Sequence, residues 1–376
     1  MTPQCVWLRE IAIRDFRNLE RVELQIPERG LALVGENGQG KTNFLEAIYY
    51  LQLLRSVRGA TDPELVRFGA EGFHIGVTAT LDRARAISVG FEKSGKRKKI
   101  TLDGVASTRM SDSLGALPSV IFSPRDHELV AGGPVERRRY LDIVLAVTSR
   151  PYLTALQAYR ATLARRNAVI RDLVRRKSGR ADENEIAVWE PALADAAARL
   201  SSGRREWVER VQDEFAKLCV AVGERSSARL RYISTIGDSA DAAGEWRAAF
   251  QKQRSSDLRR GMTQCGPHRD DLELSLDGRD IRVYGSAGQQ RTAAIALRML
   301  EASTLRLNSG LQPLLLLDDP FAELDVKRSS RILSLLMDQG LGQTILAVPR
   351  ETDIPSEMVK LERRNIADGR ITVSGS

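Results

Sequence analysis

Apolar residues recur along this chain with two different spacings. Strict alternation and short apolar runs dominate the two ends of the chain and predict β-strands. Three of these strands, over about 73–102, are separated by short polar turns and predict an antiparallel subregion. The predicted strands cover residues 6–13, 22–26, 30–34, 73–81, 86–91, 99–102, 120–122, 272–276, 314–318 and 343–348.

Apolar residues at helical spacing dominate the middle of the chain. The predicted helices cover residues 43–51, 151–177, 185–222, 292–307 and 325–337. The turn Ser178-Gly179-Arg180 separates the two longest ones, which predicts a short antiparallel arm. Neither of these helices sustains a heptad pattern, so a long coiled coil is not expected.

Together these elements predict an α/β protein with mixed sheets and an inserted, mostly helical lobe. Residues 1–133 and 261–376 would form a discontinuous nucleotide-binding head, and residues 134–260 would form the lobe. The length of 376 residues also favours two lobes, because it exceeds the size at which one core usually suffices.

Composition narrows the class of protein. No apolar run is long enough to cross a bilayer, and the N-terminus lacks the layout of a secretory signal, so a cytoplasmic protein without membrane association is expected. Three scattered cysteines predict neither a disulfide framework nor a zinc site.

The net charge of +8 is concentrated in the middle of the chain. Residues 134–260 hold 25 Lys and Arg against 17 Asp and Glu, and charges of the two signs cancel in the remainder. A basic face indicates nucleic acid or another polyanion, while a solvated Arg-rich helical surface is the alternative. The basic turn 93–98 leaves two similar interpretations, a DNA contact or a solubilising hairpin tip.

One stretch fits the phosphate-loop pattern G-x-x-x-x-G-K-[ST] at every fixed position. It lies between a predicted strand and a predicted helix, the context in which backbone N–H groups surround a polyphosphate. Lys41 would reach the terminal phosphates, and the Thr42 hydroxyl would bind Mg²⁺. The expected ATP-binding residues are Gly35, Glu36, Asn37, Gly38, Gln39, Gly40, Lys41, Thr42 and Asn43.

Two adjacent carboxylates follow the apolar run 314–317. Asp318 would hold Mg²⁺, and Asp319 would orient or deprotonate the attacking water as the catalytic residue. Buried carboxylates without a partner are costly, which favours this interpretation. A helix cap remains the alternative.

Ser286-Ala287-Gly288-Gln289 precedes a predicted helix. By itself, Ser-x-Gly at this place is a helix N-cap. Between a phosphate loop and an Asp-Asp strand it resembles the signature motif of ABC ATPases. That resemblance implies that Ser286, Gly288 and Gln289 contact ATP held by a partner subunit, in an ATP-dependent homodimer.

The whole set of motifs resembles the RecF family of bacterial recombination mediators. The residues that carry this resemblance are the phosphate loop with Asn43, Leu54-Arg55-Ser56, Phe122-Ser123-Pro124, Arg137-Arg138-Arg139, Gly266-Pro267-His268-Arg269-Asp270-Asp271-Leu272, the run 284–291, Asp318-Asp319 and Glu323-Leu324-Asp325.

The resemblance implies an ABC-type P-loop ATPase head, with Asp325 in a dimer-interface loop. It further implies ATP and Mg²⁺ as cofactors and a dimer that clamps duplex DNA at gaps or single-strand/double-strand junctions. RecR and RecO would be partners in loading RecA, with roles in repair, replication restart and SOS induction. The ATPase would be slow and DNA-stimulated.

Two positions depart from the family pattern. Arg125 stands where a Glu is usual after Ser-Pro. After the last apolar strand, Ala347-Val348-Pro349-Arg350 supplies no switch histidine, which the family also generally lacks, and none of the hydroxyl residues that the family usually has there. Slow hydrolysis is therefore expected. Alternative functions are a DNA tether of the SMC type, a nuclease-associated ATPase of the overcoming-lysogenization-defect type, or a transporter ATPase. The short arm disfavours the tether, and no additional carboxylate cluster in the sequence resembles a nuclease domain. The inserted basic arm and the Asp-Asp ending, in place of Asp-Glu, disfavour the transporter.

Overall fold

The computed structural model of the chain describes residues 4–176, 183–321, 326–338 and 342–373. The chain forms two compact units. The first comprises Met1–Asp126, Val220–Gly223 and Ala294–Ser376, and the second comprises His127–Cys219 and Glu224–Ala293. None of the helices in the described residues is long and apolar enough to cross a membrane.

Each predicted strand is present in the structure, and the described residues contain seven further strands that the sequence did not predict, namely β1, β8, β10, β12, β13, β16 and β17 in the numbering that follows. They are β1 (Gln4–Cys5), β2 (Trp7–Phe16), β3 (Leu19–Gln25), β4 (Gly30–Val34), β5 (Gly72–Thr80), β6 (Ala84–Glu92), β7 (Arg97–Leu102), β8 (Val105–Ala106), β9 (Ser119–Phe122), β10 (Ala228–Ile233), β11 (Asp271–Leu276), β12 (Arg279–Asp280), β13 (Leu311–Gln312), β14 (Leu314–Asp318), β15 (Thr344–Val348), β16 (Glu362–Ala367) and β17 (Arg370–Val373).

The helices differ more from the predicted bounds. They are α1 (Lys41–Leu53), α2 (Asp62–Leu65), α3 (Glu128–Ala131), α4 (Pro134–Thr148), α5 (Arg150–Arg176), α6 (Glu183–Ala187), α7 (Glu190–Val222), α8 (Ala242–Arg260), α9 (Ile281–Tyr284), α10 (Ala287–Ser309) and α11 (Val326–Asp338).

The first unit contains two large sheets with α1 between them. One sheet has the order β17-β16-β4-β15-β14-β9 and is parallel except for β17. The other is antiparallel, with the order β3-β2-β5-β6-β7-β8. α1 contacts strands of both sheets and is buried over most of its circumference. A helix apolar on all sides is expected at such a place.

The second unit contains the antiparallel helices α5 and α7. Tyr152 on α5 meets Arg204 on α7, whereas Arg166, further along α5, meets Glu190 at the start of α7. These contacts run in opposite directions along the two helices, which confirms the predicted antiparallel arm. The turn 178–180 predicted between them lies outside the described residues.

Three bounds from the sequence need correction. The predicted helix 185–222 is two helices, with a break at 188–189, because Pro191 cannot continue a preceding helix and starts a new one. α10 begins at Ala287 and not at 292. Residues 261–293, expected in the head, group with the second unit, since β11 pairs with β10.

Candidate functional site: a phosphate loop beside a buried carboxylate

The phosphate loop, residues 35–40, connects the end of β4 to the start of α1. Gly38 and Gly40 have φ angles of 85° and 115°, where glycine is strongly favoured. α1 begins with no side-chain hydrogen bond from its cap residue and no acidic residue in its first turn. Its first backbone N–H groups and the positive end of its dipole therefore favour an anion at this place.

Asn18, in the turn between β2 and β3, braces this loop. Its amide donates to the Gln39 carbonyl oxygen at 3.1 Å and accepts from the Asn43 amide at 2.8 Å. Gly369 N–H donates to the same carbonyl at 2.9 Å. A Cβ atom on Gly40 would lie 2.8 Å from the Asn18 oxygen, so the close approach requires glycine there. The loop is thus fixed from outside as well as by its own backbone.

Lys41 turns back over the loop. Its ammonium donates to the carbonyl oxygens of Gly35 at 2.5 Å and Glu36 at 2.8 Å. Burial lowers the pKa of Lys41, while the carboxylates of Asp318 and Asp319 oppose that shift. Carbonyl oxygens hold the ammonium but do not neutralise it. A buried cation of this kind fits the terminal phosphates of a nucleotide.

Thr42 and Asp318 come together across 276 positions of sequence. The Thr42 hydroxyl lies 2.9 and 3.1 Å from the two carboxylate oxygens of Asp318, at the end of the fully buried strand β14. Burial raises the pKa of Asp318, against the effect of the Thr42 hydrogen bond. A hydroxyl and a carboxylate are hard oxygen donors, so these two residues fit Mg²⁺ with phosphate oxygens.

Asp319 lies directly after β14 in a left-handed conformation, with φ of 44°. Its N–H donates to the Ala347 carbonyl at 2.9 Å, which holds the residue in this uncommon geometry. Non-glycine residues held in this region are often found at functional sites. The Asp319 carboxylate opposes the lowering of the Lys41 pKa by burial, while the catalytic role of Asp319 remains a prediction.

Glu46 on α1 is the centre of a polar cluster that the sequence did not predict. Its carboxylate is only 1% exposed and accepts from the Ser56 hydroxyl at 2.5 Å. Arg17 and Arg58 approach the same carboxylate at 3.2 and 3.4 Å. Arg58 also donates to the Asn43 side chain at 2.9 Å, which links the cluster to the first turn of α1.

A sequence signal existed for part of this cluster. Glu46 interrupts an otherwise apolar helix, and an acidic residue on a helix buried on all sides needs cationic partners. Arg17 and Asn18 gave no such signal, because polar residues are ordinary in a hairpin turn. Their contacts depend on the tertiary fold.

The loop after β9 contains Arg125, one of the departures from the family pattern. Arg125 is exposed, and its N–H donates to the Ser123 hydroxyl. The next residue, Asp126, is buried and pairs with Arg298 at 2.8 Å, which also pairs with the buried Glu301 at 2.7 Å. Burial alone would lower the pKa of Arg298, but these carboxylates raise it. Asp126 therefore anchors the loop to α10.

Ser286, Gly288 and Gln289 lie at the start of α10, in the second unit. The Gln289 N–H donates to the Ser286 hydroxyl at 3.3 Å, and the Ser286 N–H donates to the Gln289 side chain at 3.0 Å. This reciprocal pair is a capping box. Contact of these residues with ATP on a partner subunit stays a prediction. Asp325, predicted in a dimer-interface loop, lies outside the described residues.

Comparison with known proteins identifies the family. The family model described as "RecF/RecN/SMC N terminal domain" matches residues 7–361. A "DNA replication and repair protein RecF" from Bacillus pumilus is 33% identical over 374 residues, covering 97% of this chain and 100% of the relative. The protein of the same name from Acidothermus cellulolyticus is 39% identical over 361 residues, covering 93% and 96%. The chain belongs to the RecF family.

Solved structures agree with this assignment. A RecF structure with ATP, described as the recombination mediator protein in the RecFOR pathway, has a TM-score of 0.89 at 29% identity and covers 99% of this chain and 98% of that one. An Smc head domain from Pyrococcus furiosus has a TM-score of 0.53 at 18% identity, covering 98% and 95%, which shows the fold alone. The RecF-family chain thus has the ABC-type P-loop ATPase head that its sequence predicted.

Proposed function

We propose that the chain is an ATP-dependent, DNA-binding recombination mediator whose ATPase acts as a conformational switch. The observation that supports this best is the contact of Thr42 with the buried Asp318, beside a phosphate loop at an uncapped helix N-terminus. Together these groups suit a nucleoside triphosphate with Mg²⁺. Similarity to RecF structures that contain ATP supports the same nucleotide.

Each residue of the site has a distinct task in this proposal. The loop 35–40 and the first turn of α1 hold the phosphates, and Lys41 exchanges its carbonyl contacts for phosphate oxygens. Thr42 and Asp318 hold Mg²⁺, which would neutralise part of the phosphate charge. Asp319 orients the attacking water and accepts its proton. With Asp126 committed to Arg298 and no histidine at 349–350, hydrolysis is slow.

Dimerisation completes the site in this proposal. Ser286, Gly288 and Gln289 of one subunit reach ATP on its partner, with Asp325 in the interface loop. The exposed Ser286 at a helix N-terminus supports this role, since a hydroxyl beside the positive end of a helix dipole suits a γ-phosphate. Residues 1–126 and 294–376, which belong to the first unit, act as the ATPase head, and the second unit, with residues 127–219 and 224–293, supplies the basic lobe.

The DNA side of the proposal depends on charge and size. The segment 134–260 carries the entire net charge of +8, and phosphate neutralisation gives affinity without sequence specificity. The helices α5 and α7, of 27 and 33 residues, extend only about 40–50 Å at 1.5 Å per residue, too short for a long tether. The dimer would clamp gapped duplex in the cytoplasm and load RecA with RecR and RecO, serving repair, replication restart and SOS induction.

Sedimentation of an Asp319→Asn variant tests the switch. We expect a monomer without nucleotide and a dimer with Mg-ATP, because the variant binds ATP without turning it over. Adding Ser286→Ala should keep ATP binding and prevent the dimer. A variant that remains monomeric despite measured ATP binding would contradict the composite site.

DNA binding is measured on the same samples with gapped and intact duplexes. We expect tight binding of gapped duplex only with Mg-ATP, and stimulation of the slow wild-type ATPase by that DNA. If the protein dimerises with ATP but has no ATP-dependent affinity for DNA, the nucleotide switch is supported and the proposed function as a recombination mediator is wrong.

A further inference from the structure

Phe68 is the most exposed large apolar side chain in the part of the chain that the structure describes. Its exposed fraction is 99%, compared with 74% for Leu307 and 71% for Val105, two other exposed apolar residues of the first unit. An aromatic ring left wholly in water costs free energy unless a partner covers it. Single exposed apolar residues are common on protein surfaces, so the groups around Phe68 decide whether it contacts a partner.

The turn that carries Phe68 is held rigidly. The Ala70 N–H donates to the Arg67 carbonyl at 3.0 Å, and Gly69 has φ of 84°, which closes a tight turn with Phe68 at its tip. Arg67 is fixed in turn by Asp15, through a side-chain contact of 2.6 Å and a backbone hydrogen bond of 2.8 Å. The ring is thus presented on a pre-organised support, which reduces the entropy lost on binding.

A basic hairpin tip lies beside this turn. Lys93, at the end of β6, donates its N–H to the Glu71 carbonyl at 2.8 Å and its ammonium to the Ala70 carbonyl at 3.2 Å. The following hairpin turn exposes Lys96 and Arg97. In the described residues neither side chain forms an ion pair. With the exposed Lys99, these cations outnumber the two exposed carboxylates nearby, Glu71 and Glu92.

The other cations of this hairpin have separate roles. Lys98 is nearly buried and pairs with Asp62 at 2.7 Å, while its ammonium also donates to the Leu54 carbonyl at 2.8 Å. Lys93 and Lys98 therefore fix the hairpin to the unit, and Lys96, Arg97 and the exposed Lys99 face solvent. Some cations of the basic turn therefore stabilise the fold and others are exposed, which the sequence alone could not show.

We propose that the Phe68 turn and the Lys96–Lys99 hairpin form a binding site for single-stranded nucleic acid. One unpaired base stacks on the Phe68 ring, and the three exposed cations hold the adjoining phosphates. A fixed aromatic ring beside basic side chains is the chemistry that recognises an unpaired strand, because every base has a stacking face while duplex bases are already stacked. This inference rests on the proposed DNA function. It assigns the binding of single-stranded DNA to this surface.

The neighbouring charges favour this occupant over a protein. An apolar docking site for a protein usually has several exposed apolar residues around its centre. Here a single exposed ring lies on a turn that contacts the basic hairpin through Lys93, and this arrangement complements a polyanion with exposed bases. Docking of a protein on Phe68 is the competing outcome that the experiment separates.

The test compares Phe68→Ala with Leu307→Ala, a matched loss of an exposed apolar side chain elsewhere in the first unit. In the presence of Mg-ATP, each full-length protein is titrated into three fluorescent DNAs. They are single-stranded DNA, gapped duplex with 2-aminopurine in the gap, and intact duplex. We expect Phe68→Ala to lose about tenfold in affinity for the first two DNAs, with intact duplex unchanged. Phe68→Trp should restore binding and the 2-aminopurine quenching.

Charge is tested by replacing Lys96, Arg97 and Lys99 together by Gln. The slope of log affinity for single-stranded DNA against log salt is negative, and its magnitude should decrease by about 2. Equal losses on single-stranded and intact duplex DNA for Phe68→Ala would overturn the stacking site. Unchanged DNA affinity with weaker dimerisation or weaker protein association would reassign the turn to protein docking. If the wild type binds none of the three DNAs, the proposed function fails before the variants are compared.

Discussion

Lys41 in the first unit and Arg204 in the second are both buried cations, yet their surroundings differ. Lys41 is held by two carbonyl oxygens, and burial lowers its pKa. Burial also acts to lower the pKa of Arg204, but Tyr152 and Asp142 raise it well above its usual value. Arg204 donates to Asp142 at 2.8 Å and to Tyr152 at 3.0 Å.

The difference separates a ligand site from a structural network. A cation whose charge is neutralised by its own fold has little left for a ligand, whereas one held only by carbonyls retains its charge for phosphate. Arg204 also donates to the Pro267 carbonyl at 2.7 Å, which fixes the Gly266–Leu272 loop. Replacing each cation by Met should therefore give opposite results.

The largest effect is expected from Arg204→Met. The change leaves Asp142 buried with an incomplete set of partners, which costs about 3–5 kcal/mol in the free energy of unfolding. Urea unfolding without nucleotide measures the loss. Arg205→Met is the control, because the adjacent Arg205 pairs with a largely exposed Asp238 and should cost at most about 1 kcal/mol. Equal losses in the two variants would mean that the Arg204 network is not structural.

Lys41→Met should act on ligand affinity and not on the fold. We expect the affinity for Mg-ATP to fall by about 100-fold, since charge-assisted contacts to phosphate are lost. The free energy of unfolding without nucleotide should stay within about 1 kcal/mol, because no buried carboxylate depends on Lys41 alone. Calorimetric titration measures affinity, with Lys360→Met as an exposed control. A large loss of stability would place Lys41 in the same class as Arg204.

The smallest effect concerns the pH dependence of the second unit. Burial lowers the pKa of His268 to about 4, with Arg269 and Arg138 adding to the shift. Its Nδ1 accepts from the Tyr159 hydroxyl at 2.6 Å, so folding requires the neutral ring. The stabilisation is complete above the unfolded pKa of about 6.5 and is lost as pH falls towards 4.

His268→Asn removes this titration while keeping an acceptor for Tyr159. Between pH 7 and pH 5, the variant should lose about 1–2 kcal/mol less unfolding free energy than the wild type. Urea titrations at the two pH values measure the difference. Parallel losses in both proteins would show that His268 does not carry the shift.

The phosphate loop and the Asp-Asp strand could be predicted because the functional residues of each motif are consecutive in the sequence. The contact between Thr42 and Asp318 followed from the known logic of such loops, and the structure places them at 2.9 Å. The capping box at Ser286 was also readable from local spacing. The break before Pro191 was readable too, but the helical spacing on both sides concealed it.

The basic middle of the chain shows what could not be predicted. A count of charges treats every arginine alike, whereas Arg137, Arg166 and Arg204 are buried and paired with carboxylates of the same unit. Which arginines face solvent depends on long-range packing. For the same reason β10 was missed, since its partner β11 lies about 40 residues further along the chain.

The end of β2 and the turn that follows it contact both sites of the first unit, through Asp15 in β2 and Asn18 in the turn. Asp15 holds the Phe68 turn through Arg67, and Asn18 holds the phosphate loop. Asp15 and Arg17 take left-handed φ angles of 51° and 55°, so the turn has little freedom of its own. Because the two sites share this support, a ligand that orders the phosphate loop would also favour binding at the Phe68 turn. By thermodynamic reciprocity, single-stranded DNA bound at Phe68 would raise the affinity for nucleotide by the same factor.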